Sequence, residues 1–278
     1  MQVAALGLMA AAPALADTIR VAAGPDAQER LQAALIEAKA GDMVDIGAGR
    51  FDLTDGLSLD VNGVTIRGAG PDKTILSFKG QQAAGEGLLV TSDDVVLRDF
   101  AVEDARGDGI KSKGADQIVY KNIRVEWTGG PKETNGAYGL YPVESRNVLI
   151  DGAVVKGASD AGIYVGQSRN IIVRNSTAMF NVAGIEIENS YDADVHSNLA
   201  TRNTGGILIF DLPNLPQQGG HNIRVFSNRV IANDTPNFAP KGNIVASVPT
   251  GTGVMVMANR NVHVVDNELA ENGTTNVM

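Results

Sequence analysis

Residues 162–209 read GIYVGQSRNIIVRNSTAMFNVAGIEIENSYDADVHSNLATRNTGGILI, and this stretch decides the fold. Gly162, Gly184 and Gly206 each open the same pattern, in which alternating apolar residues are followed by a polar turn and a second apolar strand. The steps from 162 to 184 and from 184 to 206 are both 22 residues. Short alternating runs that are separated by polar turns indicate β-strands, so this stretch predicts a strand-rich repeat.

The same pattern recurs along most of the chain, at Gly87, Gly109, Gly139, Gly162, Gly184, Gly206 and Gly253. We call these residues the marker glycines. Their spacing indicates insertions at 128–137 and between Asp211 and Thr252. A unit of ~22 residues is too short for a helical-hairpin repeat, and the Leu framework of a leucine-rich repeat is missing. The sequence therefore predicts an all-β fold, a single-stranded right-handed parallel β-helix.

The chain divides into a leader and one domain. Residues 1–16 are apolar and end in Ala14-Leu15-Ala16, which is typical of a secretory signal peptide. Because the segment carries no Lys or Arg, a late start codon or a buried strand is the alternative. Residues 17–278 are predicted to form the β-helix, capped by a helix over about 26–39 with Asp26 as N-cap and Glu29 as its capping-box partner.

Composition limits the partners and the location. The formal net charge is -9, and no run of Lys and Arg is present, which argues against a nucleic-acid partner. The chain has no Cys, which excludes disulfides and thiolate sites. Beyond the leader, no apolar run approaches the ~18 residues of a spanning helix, so no membrane span is expected. These observations predict a periplasmic or secreted protein.

Period-two alternation in the strands that follow the marker glycines predicts two outward columns of side chains. The first column is Lys111, Tyr141, Tyr164, Glu186, Leu208 and Met255. The second, two residues further along each strand, is Lys113, Val143, Gly166, Glu188, Phe210 and Met257. Tyr rings stack on sugars, and charged groups address sugar substituents, so this face is either a carbohydrate site or an ordinary solvated sheet surface.

A proton-abstracting lyase or epimerase needs a cation, a base and an acid. The predicted catalytic residues are Lys111, Tyr141, Tyr164 and Glu186. The predicted substrate-binding residues are Lys113, Asp160, Glu188, Arg174 and His196. Asp160, Glu186 and Glu188 are also candidate calcium ligands, although no metal site is assigned. A hydrolase would instead use two carboxylates that flank the bond to be cleaved.

Two functions follow as hypotheses. The first is a carbohydrate-active protein, in particular a lyase or C5-epimerase on an acidic polysaccharide. The alternative is a non-catalytic β-helix scaffold that binds a glycan or a periplasmic partner protein. The scaffold hypothesis rests on the apolar row of Leu208, Phe210, Met255 and Met257, which either meets a partner or lies beneath the 211–252 insertion.

Longer segments resemble a known family: RLQAALIEAKAGDMVDIGAGRFDL, GVTIRGAGPDKTIL, EWTGGPKETNGAYGLYPVES, SDAGIYVGQSRN, VAGIEIENS and TPNFAPKGNIVASVPTGTGVMVMA. Over essentially the whole mature chain, the sequence resembles the exported parallel β-helix repeat-containing proteins of Gram-negative bacteria, within the pectin-lyase-like superfamily. The resemblance implies a carbohydrate ligand, since pectate lyases, alginate lyases, mannuronan C5-epimerases and polygalacturonases share this coil. It implies no catalytic residues, because the epimerases' Asp-Pro-His motif is not found; the nearest stretch is 191–196.

Overall fold

The computed structural model describes residues 16–83 and 85–278. In these residues the chain winds into a right-handed parallel β-helix, as predicted, and each strand pairs in parallel with the equivalent strand one turn away. The predicted signal peptide, residues 1–16, lies outside the described residues apart from Ala16, and it stays a prediction.

Within residues 16–83 and 85–278, the strands form three sheets of nine, ten and nine strands. The sheet that follows the marker glycines, here called the marker sheet, contains Leu57–Leu59, Leu88–Val90, Ile110–Lys113, Tyr138–Val143, Ala161–Gly166, Ala183–Glu188, Gly205–Phe210, Thr252–Met257 and Thr275–Val277. The second sheet contains Thr18–Val21, Met43–Ile46, Thr65–Arg67, Val95–Arg98, Asp116–Lys121, Arg146–Asp151, Arg169–Arg174, Tyr191–His196, His221–Phe226 and Arg260–Val265. The third sheet contains Gly49–Asp52, Thr74–Ser77, Ala101–Glu103, Arg124–Glu126, Val154–Lys156, Thr177–Met179, Leu199–Thr201, Arg229–Ile231 and Glu268–Ala270.

The core is a stack of inward-pointing side chains. Ile163, Ile185 and Ile207 occupy one register position in successive turns of the marker sheet, and all three are fully buried. Burying such a side chain contributes roughly 1.5–3 kcal/mol. The predicted alternation along the marker strands is therefore confirmed, and it fixes which side chains point outward.

Buried Asn side chains stack at two of the three turns of the coil. The turn from the second to the third sheet holds a column of Asn198, Asn228 and Asn267. The turn from the third sheet to the marker sheet holds a further column of Asn181, Asn203, Asn233 and Asn272. Each amide donates a hydrogen bond to the next Asn and to a main-chain carbonyl, which satisfies polar groups that the bends leave unpaired.

A helix covers the first turns of the coil, as predicted, and it runs from Ala27 to Glu37. Leu31 and Leu35 face the core and are buried. The predicted capping box is wrong, because Asp26 adopts a left-handed conformation with φ of 58° and its side chain makes no cap hydrogen bond. The main-chain carbonyl of Asp26 accepts the first hydrogen bond of the helix, from Arg30 N–H at 3.0 Å.

Between Asp211 and Thr252 the chain contains two regular strands of the coil, His221–Phe226 and Arg229–Ile231, so the predicted insertion is two separate loops, residues 211–220 and 232–251, which are together called the insertion here. The second loop folds over the marker sheet and includes the 3₁₀ helix Ile244–Ser247. Val245 and Val248 from this insertion pack with Leu208 and Phe210, which are almost fully buried. The apolar row is therefore covered by the chain itself. Within the described residues, no helix has the length and apolar character that crossing a membrane requires.

Candidate functional site

The predicted outward columns form as expected, since the strands that carry them pair in register. Lys111 lies opposite Tyr141, and Tyr164 lies opposite Glu186. Leu140 pairs with Ile163, which places Tyr141 beside Tyr164. The marker sheet thus brings the four predicted catalytic residues into one continuous line, one from each of four successive turns.

Three Tyr rings form a cluster in the middle of this line. The centroids of Tyr138 and Tyr141 are 4.4 Å apart, those of Tyr138 and Tyr164 are 4.5 Å apart, and those of Tyr141 and Tyr164 are 5.0 Å apart. The pattern of marker glycines does not indicate Tyr138, although this residue begins the strand that contains Tyr141. The cluster offers an aromatic surface at the point where the insertion leaves the sheet partly open.

Three carboxyl groups lie at the covered end of the line. Asp160, Glu186 and Glu188 are all buried, and with Tyr138 and Asn243 they line a cavity of about 320 Å³. The Tyr164 hydroxyl donates a hydrogen bond to Glu188 Oε1 at 2.6 Å. The Asn243 amide, from the insertion, donates to Asp160 Oδ2 at 3.1 Å. The insertion therefore completes the pocket as well as covering the apolar row.

Burial raises the pKa of all three carboxyl groups. Desolvation is the largest cause, and it raises the pKa of Asp160 to about 7 in spite of the Asn243 hydrogen bond. Desolvation and the charges of Asp160 and Glu188 raise the pKa of Glu186 well above its usual value. Burial also raises the pKa of Glu188, which the hydrogen bond from Tyr164 opposes. Groups with raised pKa values in a cleft are candidates for acid–base chemistry.

A cation lies at the open end of the line. Lys111 Nζ is 4.8 Å from the centroid of the Tyr141 ring and 3.1 Å from Glu86 Oε1. Nearby, Asp108 accepts a hydrogen bond from the main-chain N–H of Tyr138 at 3.2 Å. Burial raises the pKa of Asp108 to about 6, although the charge of Lys111 opposes the shift. Burial likewise raises the pKa of Tyr141 to about 12, so its hydroxyl stays protonated at neutral pH.

The structure does not bring every predicted residue to this site. Arg174 and His196 are neighbours in register, but they lie on the second sheet, away from the marker sheet. Arg174 is 2.9 Å from Asp151 in an ion pair, and His196 stacks on Phe226 with centroids 4.8 Å apart. Lys113 is on the marker sheet and exposed, in the second column. The sequence correctly predicts which residues of successive turns are neighbours. It does not indicate which of the three sheets carries the site.

The calcium that the sequence suggested has no suitable ligand set. Among residues 16–83 and 85–278, no group of three or more His, Cys, Asp or Glu side chains is arranged to hold a metal ion. Within the same ranges, Glu186 Oε2 is buried without a hydrogen-bond partner, and burial raises the pKa of both Glu186 and Glu188, whereas a calcium site takes ionised carboxylates.

Comparison with known proteins agrees with this architecture. A family model described as a right-handed β-helix region matches residues 61–215 and 134–277. The chain belongs to this family. No curated protein sequence matches the chain.

Solved structures show the same fold as this β-helix family member. An alginate lyase from Paenibacillus sp. str. FPU-7 is similar, with 18% identity, a TM-score of 0.58, and coverage of 91% of this chain and 95% of that one. For pectate lyase Pel9A the identity is 13% and the TM-score 0.51, over 90% and 78% of the two chains. A family 28 exopolygalacturonase from Yersinia enterocolitica has 12% identity and a TM-score of 0.58, with coverage of 94% of this chain and 68% of that one. At these identities the likeness concerns the fold alone.

Proposed function

We propose that this chain is a carbohydrate-active β-helix protein that acts as a lyase or C5-epimerase on an acidic polysaccharide. The observation that carries the proposal is the arrangement along the marker sheet. Lys111 lies at the open end, the Tyr cluster lies in the middle, and Asp160 lies at the covered end among carboxyl groups of raised pKa. The fold that it shares with alginate and pectate lyases supports the substrate class without establishing it.

In this proposal, a uronate ring packs on Tyr138 and Tyr141, since aromatic faces bind the apolar face of sugars well. The Lys111 ammonium faces the carboxylate of the sugar and stabilises the negative charge that develops there when the neighbouring C5–H bond breaks. Lys111 is held over the Tyr141 ring and beside Glu86, so its position is restricted before substrate binds.

Asp160 and Tyr141 carry out the proton transfers of the proposed reaction. Asp160 takes the proton from C5, because a base with a pKa of about 7 is matched to neutral pH. In a lyase, the electron pair of the C5–H bond forms the C4–C5 double bond, the C4–O bond breaks, and the Tyr141 hydroxyl protonates the leaving oxygen. In an epimerase, Tyr141 returns a proton to C5 from the opposite face. Tyr164 and Glu188 hold the pocket in shape through their hydrogen bond, and Glu186 lines it beside them.

Export to the periplasm or out of the cell is part of the proposal. The apolar leader of residues 1–16 supports it, and an extracellular polysaccharide would be met there.

A glycan-binding scaffold without turnover is the second candidate. The burial of Asp160, with a relative exposure of 6%, favours it, because a base so enclosed reaches a substrate only if the insertion moves. The apolar row no longer supports a partner protein, since the insertion already covers Leu208 and Phe210.

The test is proton exchange at C5 in heavy water. Polygalacturonate and alginate are incubated with residues 17–278, and NMR follows deuterium at C5 and the appearance of unsaturated uronate. Both reactions break the C5–H bond, so either one is detected. We expect Tyr141→Phe to lower kcat by about a hundredfold or more, since it removes the acid. Lys111→Gln should chiefly raise KM.

Lys121→Gln is the matched control, because Lys121 is an exposed lysine on the second sheet. It should leave the rate unchanged. Binding of either polymer with neither deuterium at C5 nor unsaturated uronate would contradict the enzyme and support the scaffold. Exchange that is equally fast in wild type, Lys111→Gln and Tyr141→Phe would contradict the assignment of the site.

A further inference from the structure

A second cavity lies outside the site described above. Its volume is about 450 Å³, and Lys79, Arg106, Lys132 and Trp127 are among its lining residues. The three cationic residues come from the turns that join the third sheet to the marker sheet in three successive coils. We call these segments the entry turns. Asp160 belongs to the next entry turn along the coil, so the cavity and the proposed active site follow one another along the axis.

The charge of this cavity differs from that of the whole molecule. The chain has a net charge of -9, yet three cations surround the cavity. In the described part of the chain, none of the three forms an ion pair with a carboxylate within 4.0 Å. Asp104 also lines the cavity, but its two oxygens accept hydrogen bonds from Thr128 N–H at 2.7 Å and from the Thr128 hydroxyl at 2.8 Å. The cavity is therefore a local positive site on an acidic protein.

The loop that forms one wall is held in place by its own hydrogen bonds. The Asn135 amide donates to the carbonyls of Gly130 at 2.9 Å and Gly157 at 2.7 Å. The Trp127 indole N–H donates to the carbonyl of Ala105 at 2.7 Å, which fixes the ring between two entry turns. Gly129 leaves room for the Lys132 ammonium, since a Cβ there would lie 3.0 Å from Nζ. A preformed wall reduces the ordering cost of binding.

We propose that this cavity is an anion subsite that holds the carboxylate of a second uronate residue, outside the site where the bond is broken. The inference rests on the proposed function, since it requires an acidic glycan that runs along the coil axis. Successive turns are ~4.8 Å apart, so the three entry turns of the cavity lie within ~5–15 Å of the turn that holds Asp160. One short oligosaccharide therefore reaches from the cavity to the Tyr cluster. Because no carboxylate of the described residues forms an ion pair with the three cations of these turns, they favour a polyanion over a neutral glycan.

Trp127 gives the subsite its own reporter, because the chain contains one Trp and this residue lines the cavity. The experiment titrates residues 17–278 with trigalacturonate and, separately, with neutral maltotriose, and it follows Trp fluorescence and binding heat. We expect trigalacturonate to bind with a change in fluorescence and with an affinity that falls as salt rises, and maltotriose to bind far more weakly. Arg106→Gln and Lys132→Gln should each weaken trigalacturonate binding about two- to fivefold, and the double variant about tenfold.

Lys121→Gln, on the second sheet, is the charge-matched control and should bind as wild type does. Wild-type affinity for trigalacturonate in the Arg106→Gln/Lys132→Gln double variant would overturn the subsite, as would equal binding of maltotriose. Deuterium exchange at C5, measured on the same double variant at saturating polymer, separates the two proposals. Turnover that continues in the double variant while its affinity for trigalacturonate is unchanged overturns the subsite alone. Wild type that binds trigalacturonate but yields neither deuterium at C5 nor unsaturated uronate overturns the lyase or epimerase alone.

Discussion

Tyr164 and Glu188 form the most informative pair at the scale of single residues. The Tyr164 hydroxyl donates to a buried carboxyl, and this hydrogen bond opposes the rise in the pKa of Glu188. Tyr164→Phe removes the donor, so ionised Glu188 becomes more costly in the folded state. We expect the variant to lower the free energy of unfolding by about 1–3 kcal/mol, with a larger loss near pH 8 than near pH 5. Urea unfolding at the two pH values measures the size of this loss and its dependence on pH.

Tyr120→Phe is the matched control. Tyr120 is also fully buried, but its hydroxyl pairs with the Ser112 hydroxyl at 2.6 Å, and neither partner is a carboxyl group. We expect Tyr120→Phe to lower the free energy of unfolding by the same amount at both pH values. If Tyr164→Phe shows the same cost at pH 5 and pH 8, the hydrogen bond to Glu188 does not depend on the charge of that group.

The sequence predicts the direction in which each of these side chains points, but it does not predict what covers it. Period-two alternation correctly places Tyr164 and Glu186 on the outer face of the marker sheet. Both are nevertheless buried, because the insertion lies over them. Alternation is a local property of one strand, whereas the cover comes from a segment far along the chain. Asn243 reaches Asp160 across 83 residues of sequence, and no spacing rule indicates that contact.

The Asn columns are the elements that join one turn of the coil to the next. Asn203 is fully buried, and its amide donates to the Ala178 carbonyl and to Asn233 Oδ1, both at 3.0 Å. Asn203→Asp keeps the shape but removes both donated bonds and places a carboxyl group against an oxygen. We expect a loss of about 3–5 kcal/mol in the free energy of unfolding, measured in urea.

Asn170→Asp is the same change on an exposed column. Asn170 donates to Asn147 Oδ1 at the surface of the second sheet, where water can replace the lost bond. We expect Asn170→Asp to lower the free energy of unfolding by less than about 1 kcal/mol. Equal losses for the two variants would mean that the buried column contributes no more than the exposed one.

Local rules of sequence interpretation succeed for elements that repeat and fail where an element occurs once. The marker strands recur, so an error in one unit is corrected by the others, and their register is predicted well. The cap helix occurs once. Its predicted side-chain cap is wrong because Asp26 turns with a positive φ, and its carboxylate makes no cap hydrogen bond. The covering insertion is also unique, and only its length is evident from the spacing of the marker glycines.

At the scale of the whole molecule, the carboxyl groups with shifted pKa values form two sets, one lowered and one raised. Main-chain N–H groups of Asp17 and Lys39 lower the pKa of Asp42, and the Asn147 amide with Arg146 lowers that of Asp116. These groups stabilise the fold when ionised, and this contribution is lost as the pH falls below about 4. Outside the candidate site, then, the protein behaves as most acidic proteins do.

The candidate site reverses this dependence. Burial raises the pKa of Asp160 from 3.8 to about 7, so between these values the unfolded chain has released a proton that the folded chain still holds. Folding stability therefore decreases as the pH rises through this window, by on the order of 4 kcal/mol from Asp160 alone. Asp108, with a pKa of about 6, and the raised Glu186 and Glu188 act in the same direction. We expect maximal stability near pH 4–5 rather than at neutral pH.

Asp160→Asn tests this expectation, because an Asn at this position accepts the hydrogen bond from Asn243 without carrying a charge. The variant should be more stable than wild type near pH 8, and its melting temperature should decline less between pH 5 and pH 8. Asp234→Asn is the control, since Asp234 is an exposed carboxylate in the insertion, and its profile should follow that of wild type. Parallel wild-type and Asp160→Asn profiles would mean that Asp160 is ionised in the folded protein at pH 5, which would remove the poised base from the proposed mechanism.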